Sequence, residues 1–324
     1  MTPHPRLRIG FLLAPNFTLS AFANFVDVLR LAADEGDRSR PIHCRWQVIS
    51  HSGKPVRSSC GVSVSPDLRQ ADPKDYDYIV VVGGLIDDNA NLERSEIAFL
   101  KSCVAQNVRL VGICTGAFIL HRAGLMKGYQ CCVSWFHHQD FLERFEDLTP
   151  VSDRIFVVDR DRLTSSGGAS AAHLAAFLVD RHIGRSAARK SLNIMILDGI
   201  ADGDTPQPGP PLLFETTDPL LRRALAMMQD NLGAPLTVAA LARRLEVSRR
   251  ALERRFKTTL GISPAQAGME IRLSHVRYML KSSDASVAKI ADATGFCDAS
   301  HLTTTFHQAV GMTPAEWRRH PSGE

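Results

Sequence analysis

The sequence of 324 residues lacks the cysteine pattern of a disulfide-stabilised or zinc-binding protein. Its seven cysteines are odd in number and form no C-x-x-C pair, so neither a disulfide framework nor a metal site is expected. A membrane span is missing as well, because the first apolar run, residues 9–14, is far shorter than the roughly 20 residues a span needs. These absences predict a cytoplasmic protein in a reducing compartment, with no membrane partner.

The excess of positive charge is small, with a net charge of only +4, but the charged residues are unevenly distributed along the chain. Residues 219–320 hold 15 Lys and Arg against 8 Asp and Glu, whereas the rest of the chain holds 23 against 26. A basic segment of this kind is typical of a domain that binds a polyanion. A solvated basic surface without a partner is the alternative interpretation.

Proline, glycine and aspartate are concentrated at residues 202–211, DGDTPQPGPP. Such a segment cannot continue a helix, and it predicts an interdomain linker over 202–218. The chain then divides into a first domain at 1–201 and a second domain at 219–324.

The first domain alternates apolar strand patterns with amphipathic helix patterns. The run Ile79-Val80-Val81-Val82 is apolar on both faces of a strand, which favours a parallel sheet covered by helices on both sides. Strands are predicted at 8–14, 46–50, 78–82, 109–114 and 155–158, and helices at 20–33, 94–106, 116–123 and 170–183.

After the linker, where only helical periodicity occurs, a helix-turn-helix pattern appears twice. The first copy runs from a short helix at 238–245 to Ser248, a good N-cap for a second helix that ends near Gly261. The second copy repeats this order from a short helix at 287–291 to the N-cap Asp298. Each second helix carries a leucine and a phenylalanine four residues apart, predicted to face inward: Leu252 with Phe256, and Leu302 with Phe306.

A long helix from Pro264 to about residue 280 joins the two copies and carries Arg272. Two such units on one rigid helix can place their recognition helices in successive major grooves about 34 Å apart. An ordinary helical hairpin is the alternative for a single copy, but two copies with matching cores and caps argue against it. Four of the five outward positions of the first recognition helix are cationic: Arg249, Arg250, Arg254 and Lys257, with Glu253 as the fifth.

The segment 219–319 resembles the DNA-binding domain of AraC/XylS-type regulators, above all in GFCDASHL at 295–302 and GMTPAEWR at 311–318. The resemblance implies an all-α double helix-turn-helix domain that binds duplex DNA. Arg272 is predicted to contact phosphate. The implied base-reading positions are Arg250, Glu253 and Arg254 in the first recognition helix, and Ala299, Ser300, Thr303 and Thr304 in the second.

The second recognition helix lacks the cationic side chains expected of a helix that contacts bases strongly, because residues 298–308 contain no Lys or Arg. We therefore expect specificity to rest on the first helix, where an arginine can bind guanine through two hydrogen bonds. The second helix is expected to contact phosphates or thymine methyl groups.

In the first domain, the segment Gly112-Ile113-Cys114-Thr115-Gly116 has the form of a cysteine nucleophile elbow between a strand and a helix. A helix N-terminus favours a thiolate at such a position, and Gly83-Gly84 at the end of another strand could supply oxyanion-binding amides. A buried cysteine with no chemical role is the alternative.

Residues 7–200 resemble the PfpI/class I glutamine amidotransferase-like superfamily, and the fusion of the two domains resembles GlxA-like regulators. The resemblance implies an α/β flavodoxin-like fold with a pocket beside Cys114. Two features needed for chemistry are missing, since Thr115 stands where active members have His, and the loop 16–22 lacks their Glu. The domain is therefore expected to bind a small molecule without catalysis and without a cofactor.

The resemblance points to amino acids or quaternary amines as effectors. Predicted pocket residues follow the strand ends and include aromatic rings suited to an apolar or ammonium group: Phe17, Gly84, Leu85, Cys114, Thr115, Trp135, Phe136 and His137. The resulting hypothesis is a homodimeric regulator, more commonly an activator in this family, that binds duplex DNA and recruits RNA polymerase. Two alternatives remain: a residual hydrolase or deglycase with His137 or His138 as base, and a Cys114 redox switch.

Overall fold

A computed structural model describes residues 5–86, 92–145, 148, 150–207, 213–282 and 285–319. The chain forms two compact units, Met1–Pro208 and Gly209–Glu324. Their boundary lies within the segment 202–218, for which a linker is predicted. In the described ranges, no helix combines the length and the apolarity needed to cross a membrane.

The first unit is built on a six-stranded sheet with the order β2-β1-β5-β6-β8-β7. All neighbouring strands are parallel except β7 and β8, which pair antiparallel at one edge, and β3 and β4 form a separate antiparallel pair. The strands are β1 (Leu7–Leu13), β2 (Cys44–Ile49), β3 (Val56–Arg57), β4 (Ser63–Val64), β5 (Tyr78–Val82), β6 (Arg109–Ile113), β7 (Phe156–Asp159) and β8 (Arg162–Ser165).

Helices cover both faces of this sheet. One buried cluster joins the sheet to α1, α5 and α6, and a second cluster on the other face joins it to α2 and α3. The predicted flavodoxin-like fold, a mostly parallel sheet with helices on both faces, is confirmed. The helices are α1 (Leu19–Ala32), α2 (Arg94–Ala105), α3 (Gly116–Arg122), α4 (His138–Arg144), α5 (Ser170–His182) and α6 (Arg185–Ile194), with short 3-10 turns at Pro73–Asp75 and Trp135–His137.

Strand β8 has no counterpart among the predicted strands, because its sequence Arg-Leu-Thr-Ser is mostly polar. It is nevertheless fully buried between β6 and β7. The structure neutralises its charge locally, since the Arg162 guanidinium donates to the Leu125 carbonyl at 2.8 Å and to the Asp161 carboxylate at 2.7 Å. Helix α6 also lies outside the predicted elements.

Over the ranges 213–282 and 285–319, the regular structure of the second unit is helical, as predicted. It contains α7 (Pro219–Asp230), α8 (Val238–Arg244), α9 (Arg249–Leu260), α10 (Pro264–Ser282), α11 (Val287–Ala293), α12 (Ala299–Val310) and α13 (Pro314–Arg319). Two buried clusters divide it. The first joins α7, α8 and α9 to the start of α10 through Ala267 and Ile271, and the second joins α11 and α12 to the end of α10 through Leu273, Val276 and Leu280.

The two halves of this unit repeat the same helix boundaries. Ser248 and Asp298 accept hydrogen bonds from backbone amides at the starts of α9 and α12. Gly261 and Gly311 end these helices in the left-handed conformation, with φ of 73° and 82°, which glycine adopts without strain. Helix α10 spans 19 residues, or about 28 Å at 1.5 Å per residue, and connects the halves as one rigid element.

Candidate DNA interface and effector pocket

Helix α9 presents a cationic surface to solvent. Its inner face is fixed by Leu252 and Phe256, both fully buried. Arg250 and Arg254 consequently lie on the exposed side, and neither forms an ion pair or hydrogen bond with any part of the chain that the structure describes. Both guanidinium groups are therefore available to a phosphate or to a guanine edge.

The other predicted cations of α9 also serve the helix itself. Arg249 donates to the Glu253 carboxylate at 2.8 Å, one turn later, and Lys257 donates to the Gly261 carbonyl at 2.9 Å. The first contact partly neutralises both side chains, and the second satisfies a carbonyl at the helix C-terminus. Arg250 and Arg254 are thus the stronger candidates for base reading.

Helix α12 offers hydroxyl groups in place of cations. Ser300 and Thr304 are exposed, whereas Ala299 and Thr303 are half-buried. The Thr303 hydroxyl donates to the Ala299 carbonyl at 2.7 Å, so its proton is already committed to the helix. This surface suits contacts to phosphate oxygens and methyl groups better than two-point recognition of a base.

Arg272 lies where α10 contacts the turn that precedes α12 in the second unit. Its guanidinium donates to the Gly295 carbonyl at 3.0 Å and lies 4.7 Å from the centre of the Phe296 ring. Burial lowers the pKa of this half-buried group. Arg272 is predicted to contact phosphate, but the observed contacts use the group to fix the turn before α12 against α10. Sequence reasoning did not single out Arg243 and Arg244, which are exposed at the end of α8.

In the first unit, Cys114 lies at a tight strand-to-helix turn. Its φ of 57° is in the left-handed region, which non-glycine residues rarely occupy outside constrained sites. The neighbouring backbones pack closely, because a Cβ atom on Gly116 would lie 2.1 Å from the Val81 carbonyl oxygen and one on Gly83 would lie 2.4 Å from the Gly116 nitrogen. The predicted elbow geometry is therefore present.

The surroundings of the Cys114 thiol, however, favour its neutral form. Burial raises its pKa, and this outweighs the opposing hydrogen bonds from the Thr18 hydroxyl and the Thr115 backbone. The Thr18 oxygen lies 3.4 Å from the sulfur. The helix N-terminus predicts a thiolate at this position, and the raised pKa of the half-buried Cys114 side chain runs against that expectation.

The Gly83 amide is already engaged, since it donates to the Ile113 carbonyl at 3.1 Å. It cannot also serve as the oxyanion donor suggested by the glycine pair. Phe17 is fully buried, and its backbone forms an isolated antiparallel β-bridge with Gly84. Phe17 and Gly84 therefore have a structural role beside the elbow.

A narrow cleft opens next to the elbow, on the side of Thr115. The Thr115 hydroxyl donates to the Gly84 carbonyl at 2.9 Å and thereby ties α3 to the end of β5. Three predicted pocket residues, Gly84, Leu85 and Thr115, line this cleft together with Pro15, Phe118 and Arg122. Cys114 and Phe17 are absent from its lining.

The aromatic segment Trp135–His137 lies beyond the cleft in a 3-10 turn. The His137 ring meets Phe118 of the cleft edge-on, with 6.3 Å between ring centres, and Phe136 is 53% exposed. The backbone amide of Trp135 donates to the Gln207 side-chain oxygen at 2.9 Å. Of these three side chains, His137 therefore reaches the cleft, through its contact with Phe118.

Neither candidate base reaches Cys114. His137 pairs through Nδ1 with the Asp140 carboxylate at 2.9 Å. His138 Nδ1 lies 2.8 Å from the Ser152 hydroxyl, and burial lowers the pKa of its ring. Within the described ranges, neither imidazole hydrogen-bonds to the thiol, and no three His, Cys, Asp or Glu side chains are placed to hold a metal ion.

Comparison with known proteins agrees with both halves of this architecture. The DJ-1/PfpI family matches residues 8–181, and a helix-turn-helix domain matches residues 241–320. The transcriptional regulator GbdR of Pseudomonas aeruginosa is 33% identical over 312 residues, which cover 96% of this chain and 84% of the relative. The regulator GlxA of Rhizobium meliloti is 32% identical over 316 residues, covering 96% and 95%.

The chain is a GlxA-like member of the AraC family. A crystal structure of an AraC family transcriptional regulator from Pseudomonas putida is also similar, with 27% identity and a TM-score of 0.50 over 58% of this chain and 99% of that one. This regulator thus joins a DNA-binding helix-turn-helix unit to a ligand-sensing unit of the DJ-1/PfpI fold.

Proposed function

We propose that this regulator is a homodimeric activator that reads its operator mainly through α9 and responds to a zwitterionic effector held in the cleft beside Thr115. The observation that carries the proposal is the pair of exposed, unpartnered guanidinium groups of Arg250 and Arg254 on α9, within the described chain. Helix α12 then adds contacts that set orientation, and the bound regulator recruits RNA polymerase.

An effector with a carboxylate and an apolar or ammonium group, as in an amino acid or a quaternary amine, matches the chemistry of the cleft lining. The cleft has about 10 Å³ of free volume, so it must widen to admit such a molecule. Arg122 supplies positive charge to the lining, and Phe118 supplies an aromatic face. Phe118 also contacts the rings of Phe141 and Phe145, so its position is fixed before a ligand arrives. Cys114 has a raised pKa, and within the described residues neither His137 nor His138 hydrogen-bonds to it, which supports binding without catalysis.

Gln207 offers a route from this site towards the second unit. Its amide nitrogen donates to the carbonyls of Val133 and Arg154 at 2.9 and 2.6 Å, and its oxygen accepts from Trp135. The backbone of residues 203–207 also pairs with residues 153–156, which lead into β7, so this segment is fixed beside the aromatic turn. An effector that moves Trp135 would shift the start of the segment that leads to the DNA-binding unit.

A thermal-shift screen of amino acids and quaternary amines tests the effector site. A ligand at 100 times its Kd is expected to stabilise the first unit by about 2.7 kcal/mol. Leu85→Trp should remove this shift without unfolding the unit, because Leu85 lines the cleft and is 58% exposed. Val62→Trp, at a similarly exposed position outside the cleft, is the matched control. A stabilising ligand that binds Leu85→Trp equally well would show that the cleft is not the site.

Replacement of Cys114 by serine is expected to leave effector-dependent reporter activation largely intact. The thiol is neutral and has the Thr18 hydroxyl as its side-chain partner, and a serine hydroxyl preserves that hydrogen bond. Activation is measured alongside DNA affinity and thermal stability. If activation disappears while the other two are unchanged, the regulator senses its signal through covalent or redox chemistry at the sulfur.

Arg254→Ala is expected to weaken operator binding by about 1–3 kcal/mol, or roughly 5- to 150-fold, while random DNA loses much less. The reason is that an arginine contacting a guanine edge carries sequence information, whereas a phosphate contact does not. Arg244→Ala on α8 removes the same charge and should affect both DNAs alike. Equal losses on operator and random DNA for Arg254→Ala would contradict base reading.

A further inference from the structure

Arg255 of helix α9 differs from its neighbour Arg254, because its guanidinium is bound within the protein. Its Nε donates a hydrogen bond to the carboxylate of Asp218, which lies 37 residues earlier in the chain. With about 100° between successive helix residues, Arg254 projects away from the buried face of α9, whereas Arg255 lies at the edge of that face. The two adjacent arginines therefore point to different surroundings, Arg254 to solvent and Arg255 to the start of α7.

Asp218 uses its two carboxylate oxygens for two different helices. Its Oδ1 accepts hydrogen bonds from the amides of Leu220 and Leu221, at 2.9 and 3.3 Å, and so caps the N-terminus of α7. Its Oδ2 accepts from Arg255. Burial alone would raise the pKa of Asp218, but the hydrogen bonds from Arg255 and from the two amides outweigh burial and lower the pKa. A charged carboxylate thus joins the first helix after the predicted linker to the recognition helix.

The apolar packing of α7 and α9 cannot by itself fix the rotation of α9. Both helices belong to one buried cluster, to which α7 contributes Leu225 and α9 contributes Phe256, among other side chains. Apolar burial has no preferred direction, so it holds helices together better than it sets the rotation of one about its own axis. A charge-assisted hydrogen bond has a preferred length and direction. The pair of Asp218 and Arg255 supplies the directional contact between these two helices.

Reading a base requires that rotation to be set closely. An arginine that binds guanine through two hydrogen bonds must align with both base atoms at once. Binding groups of this kind need to be held within about 0.5 Å and 10–20° of the productive geometry. A contact between a cation and a phosphate is less demanding, because it depends mainly on the distance between the charges. A small rotation of α9 therefore reduces sequence discrimination more than it reduces affinity for DNA in general.

We propose that Asp218 and Arg255 are positioning residues for operator recognition, which fix the rotation of α9 against α7 without contacting DNA. This rests on the base-reading role of α9 in the proposed function and adds the residues that orient that helix. A phosphate contact by Arg255 is the competing role. It is disfavoured because phosphate would have to displace a carboxylate that is 13% exposed and already caps α7.

Asp218→Asn separates the helix cap from the ion pair, because an asparagine oxygen still caps α7 but carries no charge. The full-length protein is titrated with a duplex that the unmodified protein selects from a randomised library, and with a random duplex of equal length. The ratio of the two Kd values should fall about fivefold or more as the two-point contact loses its alignment. The melting temperature without DNA should change little. Asp292→Asn, which removes an exposed carboxylate from α11, is the control and should leave the ratio unchanged.

Arg255→Met keeps much of the aliphatic stem and removes the charge. It should lower the Kd ratio as Asp218→Asn does, but leave the salt dependence of binding to random DNA unchanged, because Arg255 neutralises no phosphate. A phosphate contact would instead reduce that slope by about one unit. The double variant should discriminate as poorly as either single variant, since each removes the same pair.

Three results would overturn the proposal: an unchanged Kd ratio in either single variant, a slope reduced by about one unit in Arg255→Met, or losses that multiply in the double variant. Arg254→Ala tests base reading separately. If Arg254→Ala loses discrimination while Asp218→Asn keeps it, α9 reads bases without help from this pair, and the proposed function stands without the positioning role.

Discussion

Replacing Phe306 by alanine is expected to destabilise the second half of the DNA-binding unit by about 3–5 kcal/mol, the cost typical of removing a fully buried phenylalanine ring. Phe306 has no exposed surface and packs edge-on against Trp317, with 6.0 Å between ring centres. The loss is comparable to the whole stability of many small domains. Helices α11 and α12 should therefore unfold well before the rest of the unit.

The separate clusters of the two halves make this outcome specific. Phe256 is the equivalent residue of the first half and belongs to a different buried cluster. Hydrogen exchange should show protection lost in α11 and α12 for Phe306→Ala, and in α8 and α9 for Phe256→Ala. Thr304→Ala, an exposed change on the same helix as Phe306, serves as the control. A loss below about 1 kcal/mol for Phe306→Ala, far under the range for core truncations, would contradict the assigned packing.

The fragment from Thr216 to the C-terminus is expected to bind duplex DNA by itself, with an affinity that falls by about 10³ between 50 and 200 mM salt. That magnitude corresponds to about six neutralised phosphates, each of which releases condensed counterions. Exposed cations on α8 and α9 can supply these contacts: Arg243, Arg244, Arg249, Arg250, Arg254 and Lys257. Fluorescence anisotropy across a salt series measures the slope.

Substitutions can show how much individual cations contribute to the salt dependence of DNA affinity. Arg250→Gln should reduce its magnitude by about one unit if that side chain contacts a phosphate, and residues 1–208 alone should show no binding. A folded fragment that fails to bind at low salt would remove the claim that this unit carries the DNA interface. A slope near zero would show that charge contributes little to its affinity.

Much of the fold follows from short-range patterns in the sequence. The sequence predicts a strand at 78–82, and β5 has these bounds in the structure. The prediction succeeds because an apolar run of β-branched residues can be buried on both faces. The caps Ser248 and Asp298 also act as predicted. Strand β8 was not predicted, because its burial depends on hydrogen bonds from Arg162 to distant oxygen atoms. One of them is the carbonyl oxygen of Leu125, 37 residues earlier in the chain.

The sites were harder to predict, because their chemistry depends on contacts distant in sequence. The protonation of Cys114 depends on its depth and on Thr18, 96 residues away. The role of Arg272 depends on the turn at Gly295. The left-handed residue just beyond α6, Ile196, leaves no sequence signal, because glycine, the usual residue at such a helix end, is absent from that position. By contrast, the outward positions of Arg250 and Arg254 follow directly from helical periodicity.

Helix α10 belongs to both cores of the DNA-binding unit, and Arg272 locks its middle to the turn that precedes α12. B-DNA completes a turn in about 10–10.5 base pairs, so each base pair inserted between two recognised segments rotates the second by roughly 35° about the duplex axis. A continuous helix cannot twist to follow that rotation. The regulator should therefore tolerate substitutions between the two segments far better than it tolerates an insertion or a deletion there, and the length of α10 sets the helical phase of every operator it can use.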